Sequence, residues 1–234
     1  MEKQNKSLNR ILTISGKALL IISLIAFIFL AIKNAISTDH SMSKPADICK
    51  PVIYLYSDKQ EKVQVKLGFK NDKITYPAYD NNQGWQVITN SDGTLTNIFD
   101  NKKYSYLFWE STSSGEKYDF SKGFIVKSED TQKFLQDTLS KMGLQSKEYN
   151  EFIVYWLPKM IKNKYNLIHF ATKEEYEKIY PLEVVPKPDS TLRVFMVYKP
   201  LTTPINVINQ NIEPFKRNGL TLIEWGGREY NTEK

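Results

Sequence analysis

Fifteen consecutive residues near the start of the chain, Ala18 to Ile32, read ALLIISLIAFIFLAI, and Ser23 is the only polar side chain among them. A run that is apolar on every face has no stable place on the surface of a water-soluble domain, so it dictates where the rest of the chain can go. Ile11–Gly16 (ILTISG) lengthens it, with Lys17 the single interruption. A helix from Ile11 to Ile32 would be about 33 Å long at about 1.5 Å per residue, enough to cross roughly 30 Å of hydrocarbon. Lys17 lies less than two turns inside one end, where its aliphatic stem can follow the helix and its ammonium can reach the headgroups. Lys3, Lys6 and Arg10 precede the run, and the positive-inside rule therefore puts the N-terminus in the cytoplasm. The expected organisation is a cytoplasmic tail (1–10), a single transmembrane helix (11–33) with the lipid bilayer as its partner, a tether (34–48) and an extracellular body. A cleaved signal peptide is the rival, because Ala35-Ile36-Ser37 is a small-x-small site just past the run. The apolar stretch exceeds the usual h-region of about 7–15 residues, which favours an anchor. Cys49 lies too far beyond the run, after Ala46-Asp47-Ile48, to be read as a lipid-attachment site.

Charge follows the same division. Of 32 basic and 26 acidic groups in 234 residues, residues 1–37 hold five basic (Lys3, Lys6, Arg10, Lys17, Lys33) and one acidic (Glu2), leaving 27 and 25 for the remainder. The body is thus almost neutral, which argues against a nucleic-acid partner. One Cys excludes a disulfide scaffold and any multi-Cys metal site, and two His are too few for a His-rich one. No P-loop, dinucleotide fingerprint, HExxH or GxSxG occurs, and no cofactor is expected. Gly226-Gly227 is too short a signal for phosphate binding.

Within the body, Val52–Tyr56 (VIYLY) is a short apolar run that suits a buried strand. Lys62–Lys70 alternates fully, with Val63, Val65, Leu67 and Phe69 on one face, and predicts a sheet with one wet side. Turn residues at Asp80–Gly84 and Asn90–Gly93 separate strand candidates Trp85–Thr89, Thr94–Phe99 and Tyr104–Trp109, the pattern of an antiparallel sandwich or meander. Ser111–Gly115 reads as a boundary between a β-rich domain (49–115) and an α+β domain (116–234). In the second half, Ser128 is a candidate N-cap and Gly143 a candidate C′ residue around the stripe Phe134, Leu135, Leu139 and Met142. A second helix begins at Ser146, carries Tyr149, Phe152, Ile153, Trp156 and Leu157 on one face, and is expected to stop near Pro158. Thr172 and Glu175 have capping-box spacing before a third helix. Leu167–Phe170, Thr191–Tyr198 and Leu220–Trp225 read as strands. The fold class is α+β, an antiparallel β-rich half followed by an α+β half behind a transmembrane helix.

Candidate chemistry centres on acids and rings. Glu110, Glu151 and Glu224 sit in apolar company, and Trp109 and Trp225 each adjoin one of them. Two carboxylates in differently polar surroundings are what glycoside hydrolysis needs. Alternatively, Arg193, standing in an apolar strand, needs a partner, and Glu224 is the natural one. That structural reading is favoured over catalysis. Cys49 as a nucleophile would need His169, and nothing in the sequence brings the two together. His169, between Ile168 and Phe170, is better read as a hydrogen-bonded core histidine than as a base lacking its orienting carboxylate. Aromatic faces backed by carboxylates also hold sugars or peptides outside cells. The five residues Trp109, Glu110, Glu151, Glu224 and Trp225 are therefore the candidate binding set, with cell-wall glycan or another surface protein as the partner.

Five stretches carry a resemblance: Lys50–Tyr56 (KPVIYLY), Tyr118–Phe124 (YDFSKGF), Glu151–Met160 (EFIVYWLPKM), Arg193–Leu201 (RVFMVYKPL) and Glu224–Gly227 (EWGG). The chain resembles a family of bacterial secreted or membrane-anchored proteins of unassigned function, over about Lys50 to Gly227. Ser57 departs from it, standing where Pro is expected. The resemblance implies an exported protein and transfers no site residues. The expected function is a membrane-anchored extracellular binding or interaction module; the alternative is an extracellular, carboxylate-dependent hydrolase acting on cell-wall glycan.

Overall fold

The structure, a computed structural model, describes residues 48–69, 74–112 and 117–230. The expected transmembrane helix (11–33), nearly all of the tether and the side chain of Cys49 lie outside these residues. Among the described residues, no helix is long and apolar enough to cross a membrane. They form a strand-rich α+β fold with three α-helices.

In chain order the elements are β1 (Ile48–Cys49), β2 (Val52–Tyr56), β3 (Lys62–Leu67), β4 (Ile74–Tyr76), β5 (Trp85–Thr89), β6 (Leu95–Asn97), β7 (Lys103–Tyr104), β8 (Leu107–Thr112) and β9 (Phe124–Lys127). A 3₁₀ turn, Ser128–Asp130, leads into α1 (Thr131–Met142), which is followed by α2 (Ser146–Met160), β10 (Tyr165–Phe170) and α3 (Lys173–Ile179). The last elements are β11 (Leu182–Val185), β12 (Ser190–Leu201) and β13 (Thr221–Glu229).

The strands build two sheets. The larger runs β1-β8-β2-β13-β12-β10-β9, with β4 added along β8; the smaller runs β11-β3-β5-β6-β7. Among the described strands, only β12 and β13 pair in parallel. A parallel pair needs a long crossover, and residues 202–220 supply it as irregular chain instead of a helix. Side chains pin that crossover down. The Gln210 amide donates to Phe170 O and accepts from Phe170 N–H, both at 2.8 Å, in the manner of an added strand. Arg217 donates to Glu148, whose side chain is fully buried, and to Gly143 O.

Period-two alternation sorts the large sheet's side chains into two cores. Ile53, Leu55, Leu222, Phe195 and Val197 face the small sheet, where they meet Val63, Val65, Trp85 and Val87. Val52, Tyr54, Ile223, Trp225, Val194, Met196 and Tyr198 face the opposite way, onto Leu135, Leu139, Phe152, Trp156 and Met160 of α1 and α2. Central strands buried on both faces must be apolar throughout, which is why β2 and β12 read as continuous runs, whereas β3 alternates. The glycines of β13 serve the same double burial. A Cβ on Gly227 would lie 2.6 Å from Met196 O and 3.1 Å from the Trp156 ring, and one on Gly226 would press Pro51 at 3.0 Å.

The halves expected as separate 49–115 and 116–234 domains are interleaved in one compact unit from Ala46 to Lys234. β2 and β8 join the large sheet, and β11 of the second half edges β3 of the first. Ser111 and Thr112, read as the start of a boundary loop, end β8 and pair with β1. Pro158 does not end α2, which continues to Met160. The carbonyl it leaves without a helical donor is that of Val154, on the exposed face where water can reach it. Ser128 opens the 3₁₀ turn and does not cap α1, while Gly143 takes the left-handed C-terminal position at φ 106°.

Candidate functional site

Neighbours in a strand point to opposite faces, so the candidate residues Trp109 and Glu110 must part, as must Glu224 and Trp225. Trp109 and Glu224 turn into the core between the sheets. Trp225 turns toward the helices, and Glu110, one residue past Trp109, points to that same side.

Trp109 and Glu224 form a sealed network. Glu224 is fully buried; its Oε1 accepts from Trp109 Nε1 at 3.1 Å and its Oε2 from Arg193 Nε. The Arg193 guanidinium also donates to Tyr180 O at 2.8 Å and lies 4.3 Å from the centroid of the Tyr176 ring. Burial, the largest influence, would lower Arg193, but the Glu224 carboxylate together with Tyr176 and Glu177 holds the guanidinium above its ordinary value. Each oxygen of Glu224 has a donor, and neither reaches solvent. This is the structural pairing that a charge in an apolar strand requires.

The helix-side face is open between α2 and strands β2, β4 and β8. A cleft of about 400 Å³ lies there, lined by Lys50, Val52, Tyr76, Tyr106 and Phe108 from the sheet edge, by Glu151, Val154 and Tyr155 from α2, and by Trp225. Its floor is an ordered hydrogen-bond chain: Trp225 Nε1 donates to Tyr54 Oη at 3.2 Å, and Tyr54 Oη donates to Glu151 Oε2 at 2.7 Å. Burial, followed by the Glu151 carboxylate, pushes the Tyr54 phenol far up, so it remains a donor. Partial burial and the same carboxylate raise Tyr106. The rim is apolar and exposed, with Tyr76 at 61% and Val154 at 74%. Lys50 Nζ stands 4.2 Å from the Tyr155 centroid and 5.4 Å from that of Phe108.

Of the three acids in apolar company, only Glu151 lines this cleft. Glu110 sits in β8 opposite Ile74, and its charge acts on Tyr155 and Lys159. The structure therefore brings Glu151 and Trp225 into one open site, keeps Glu110 outside its lining, and encloses Glu224 with Trp109. Sequence reasoning missed Tyr54, Tyr76, Tyr106 and Phe108. Tyr106, Phe108 and Glu110 share one parity, a period-two signal that was present to be read; Tyr54 was hidden in a strand apolar on both faces.

His169 has the orienting carboxylate that the sequence could not locate. Its ring is 2% exposed, with Nδ1 2.9 Å from Lys122 O and Nε2 3.1 Å from Glu175 Oε2. Glu175 also completes the Thr172 capping box and accepts from Asp119 N–H. Burial would raise Glu175, but these donors and His169 together hold it below its ordinary value. Packed among Tyr118 and Phe120, His169 is a tie between α3 and the 117–122 segment.

A second cavity, about 430 Å³, lies on the small sheet beside Tyr79, Trp85 and the 92%-exposed Phe99. Its one acid, Asp80, accepts from the N–H groups of Asn82 and Gln83 through Oδ1. Among the described residues no group of three or more His, Cys, Asp or Glu is placed to hold a metal. The site thus belongs to a β/β/α three-layer protein with an aromatic cleft floored by a single carboxylate. No protein-family model, curated protein or solved structure matches the chain.

Proposed function

We propose that the protein is a membrane-anchored extracellular binding module whose ligand enters the helix-side cleft. One observation carries this reading: an open, aromatic-rimmed cleft holds Glu151 and Trp225 while Glu224 and Trp109 are locked into the core. A volume of about 400 Å³ is within the range of ligand sites, and the Tyr54–Glu151–Trp225 chain fixes its polar floor in advance. Glycoside hydrolysis needs two carboxylates facing one reacting bond. A single lining acid favours binding over that chemistry. The apolar run at 11–33 and the resemblance to exported bacterial proteins support a place for the module outside the membrane.

Two measurements test the reading. The full chain should be retained on cell-wall fractions, and the double variant Tyr76→Ala/Val154→Asp should lose most of that retention while keeping its melting temperature. Release of reducing sugar ends from wall glycan by the wild type, abolished in Glu151→Gln, would instead establish the hydrolase. A reporter fused after Lys234 should be accessible from outside the cell.

A further inference from the structure

Lys50 and Glu151 line the same cleft with opposite charges, yet they do not pair with each other, and neither has an ion-pair partner among the described residues. Elsewhere in the fold, buried charge is neutralised: Glu224 by Arg193 and Glu148 by Arg217. The cleft is therefore bipolar. Glu151 uses Oε2 to accept from Tyr54 and has Tyr106 within reach of its field. The Lys50 ammonium rests instead against the Tyr155 and Phe108 rings.

A neutral ligand that filled this space would strip water from both charges and leave each without a counter-charge, a costly arrangement for either group. A ligand with one positive and one negative group removes both penalties at once. Its ammonium would accept the Glu151 carboxylate as a partner beside the electron-rich faces of Tyr76 and Tyr106, and its carboxylate would face Lys50. Resting on the reading of this cleft as the binding site, we propose that it recognises a zwitterionic ligand, a short peptide or peptide end bearing a free ammonium and a free carboxylate. The apolar body between its charged ends would lie across Val52 and Trp225.

The test uses the full chain in lipid nanodiscs and isothermal titration with di-, tri- and tetra-alanine, each also in N-acetylated and C-amidated form. At least one free peptide should bind, with acetylation or amidation weakening it about tenfold, the factor expected for losing one charge-assisted contact. Glu151→Gln, which keeps an acceptor for Tyr54, should erase the penalty of acetylation alone. Lys50→Met should erase the penalty of amidation alone. Equal binding of free and capped peptides, penalties unchanged in either variant, or no binding across the series would each overturn the zwitterion assignment. If wall retention still depends on Tyr76 and Val154 in those cases, the cleft remains the binding site and only the ligand class is wrong. If retention is insensitive to the rim as well, the binding-site reading falls with it.

Discussion

On each side of the large sheet a Glu meets a Trp, and the two pairs are put to opposite uses. Between the sheets, Glu224 meets Trp109 and Arg193 with no route to water. On the helix side, Glu151 meets Trp225 through Tyr54 at the bottom of an open cleft. The difference comes from coverage. The small sheet lies over β2 and β13 on one side, whereas on the other a cleft remains between α2 and strands β2, β4 and β8, with Tyr76 exposed at its rim. A carboxylate in the first setting has to be neutralised by the protein; in the second it is left for something else to neutralise.

Perturbing each face should reveal that contrast. Glu224→Gln strands the buried Arg193 charge and should destabilise by about 3–5 kcal/mol, as expected for breaking a buried pair. For a domain of this size, that lowers the melting temperature by roughly 6–20 °C in calorimetry. An unchanged melting temperature would mean that the Arg193 pairing contributes nothing. Gly227→Ala should cost about 1–3 kcal/mol, because its Cβ would strike Met196 O and the Trp156 ring. Chemical denaturation would measure it, and a neutral result would show that β13 can shift beneath α2.

Smaller still is the effect of pH through Glu175. Its folded value is depressed, so its stabilisation is present above the unfolded Glu value of about 4.3 and fades as pH falls through the lower folded value. Glu175→Gln should therefore be less stable than wild type at pH 7, by about 1 kcal/mol, the scale of a lost cap. The two should converge in melting temperature as the solution is acidified below about pH 4, the window set by that depressed value. A gap that persists undiminished at low pH would point to packing in place of charge. Tyr76→Ala on the exposed rim should change stability by no more than about 0.5 kcal/mol, as for surface positions, and Glu151→Gln, which keeps an acceptor for Tyr54, by about 1 kcal/mol, while both alter ligand retention. A large loss of stability in either would make the cleft a structural seam.

Much of the local structure was legible from residues. The alternation of Lys62–Leu67, the Asp-Gly turn before β6, the start of α2 at Ser146 and the Thr172 capping box each rest on interactions within a few residues, and each is found where the pattern puts it. The Arg193–Glu224 pairing was legible for a different reason, since an ionised group in an apolar strand demands a partner wherever the chain folds. The interleaving of the two halves was not, because β11 joining β3 and β13 joining β2 depend on contacts more than a hundred residues apart. Pro158 misled because its effect depends on which carbonyl it orphans, and burial alone decides that.

Periodicity and charge were enough to assign the strand and helix types, the parity that separates Glu224 from Trp225, and the need for a counter-ion beside Arg193. All of these are properties of a residue and its near neighbours along the chain. Only the packed molecule could decide which face of the large sheet would be sealed and which left open. That choice depends on how far the small sheet and α2 extend over the same strands, a matter of long-range packing that no local pattern encodes.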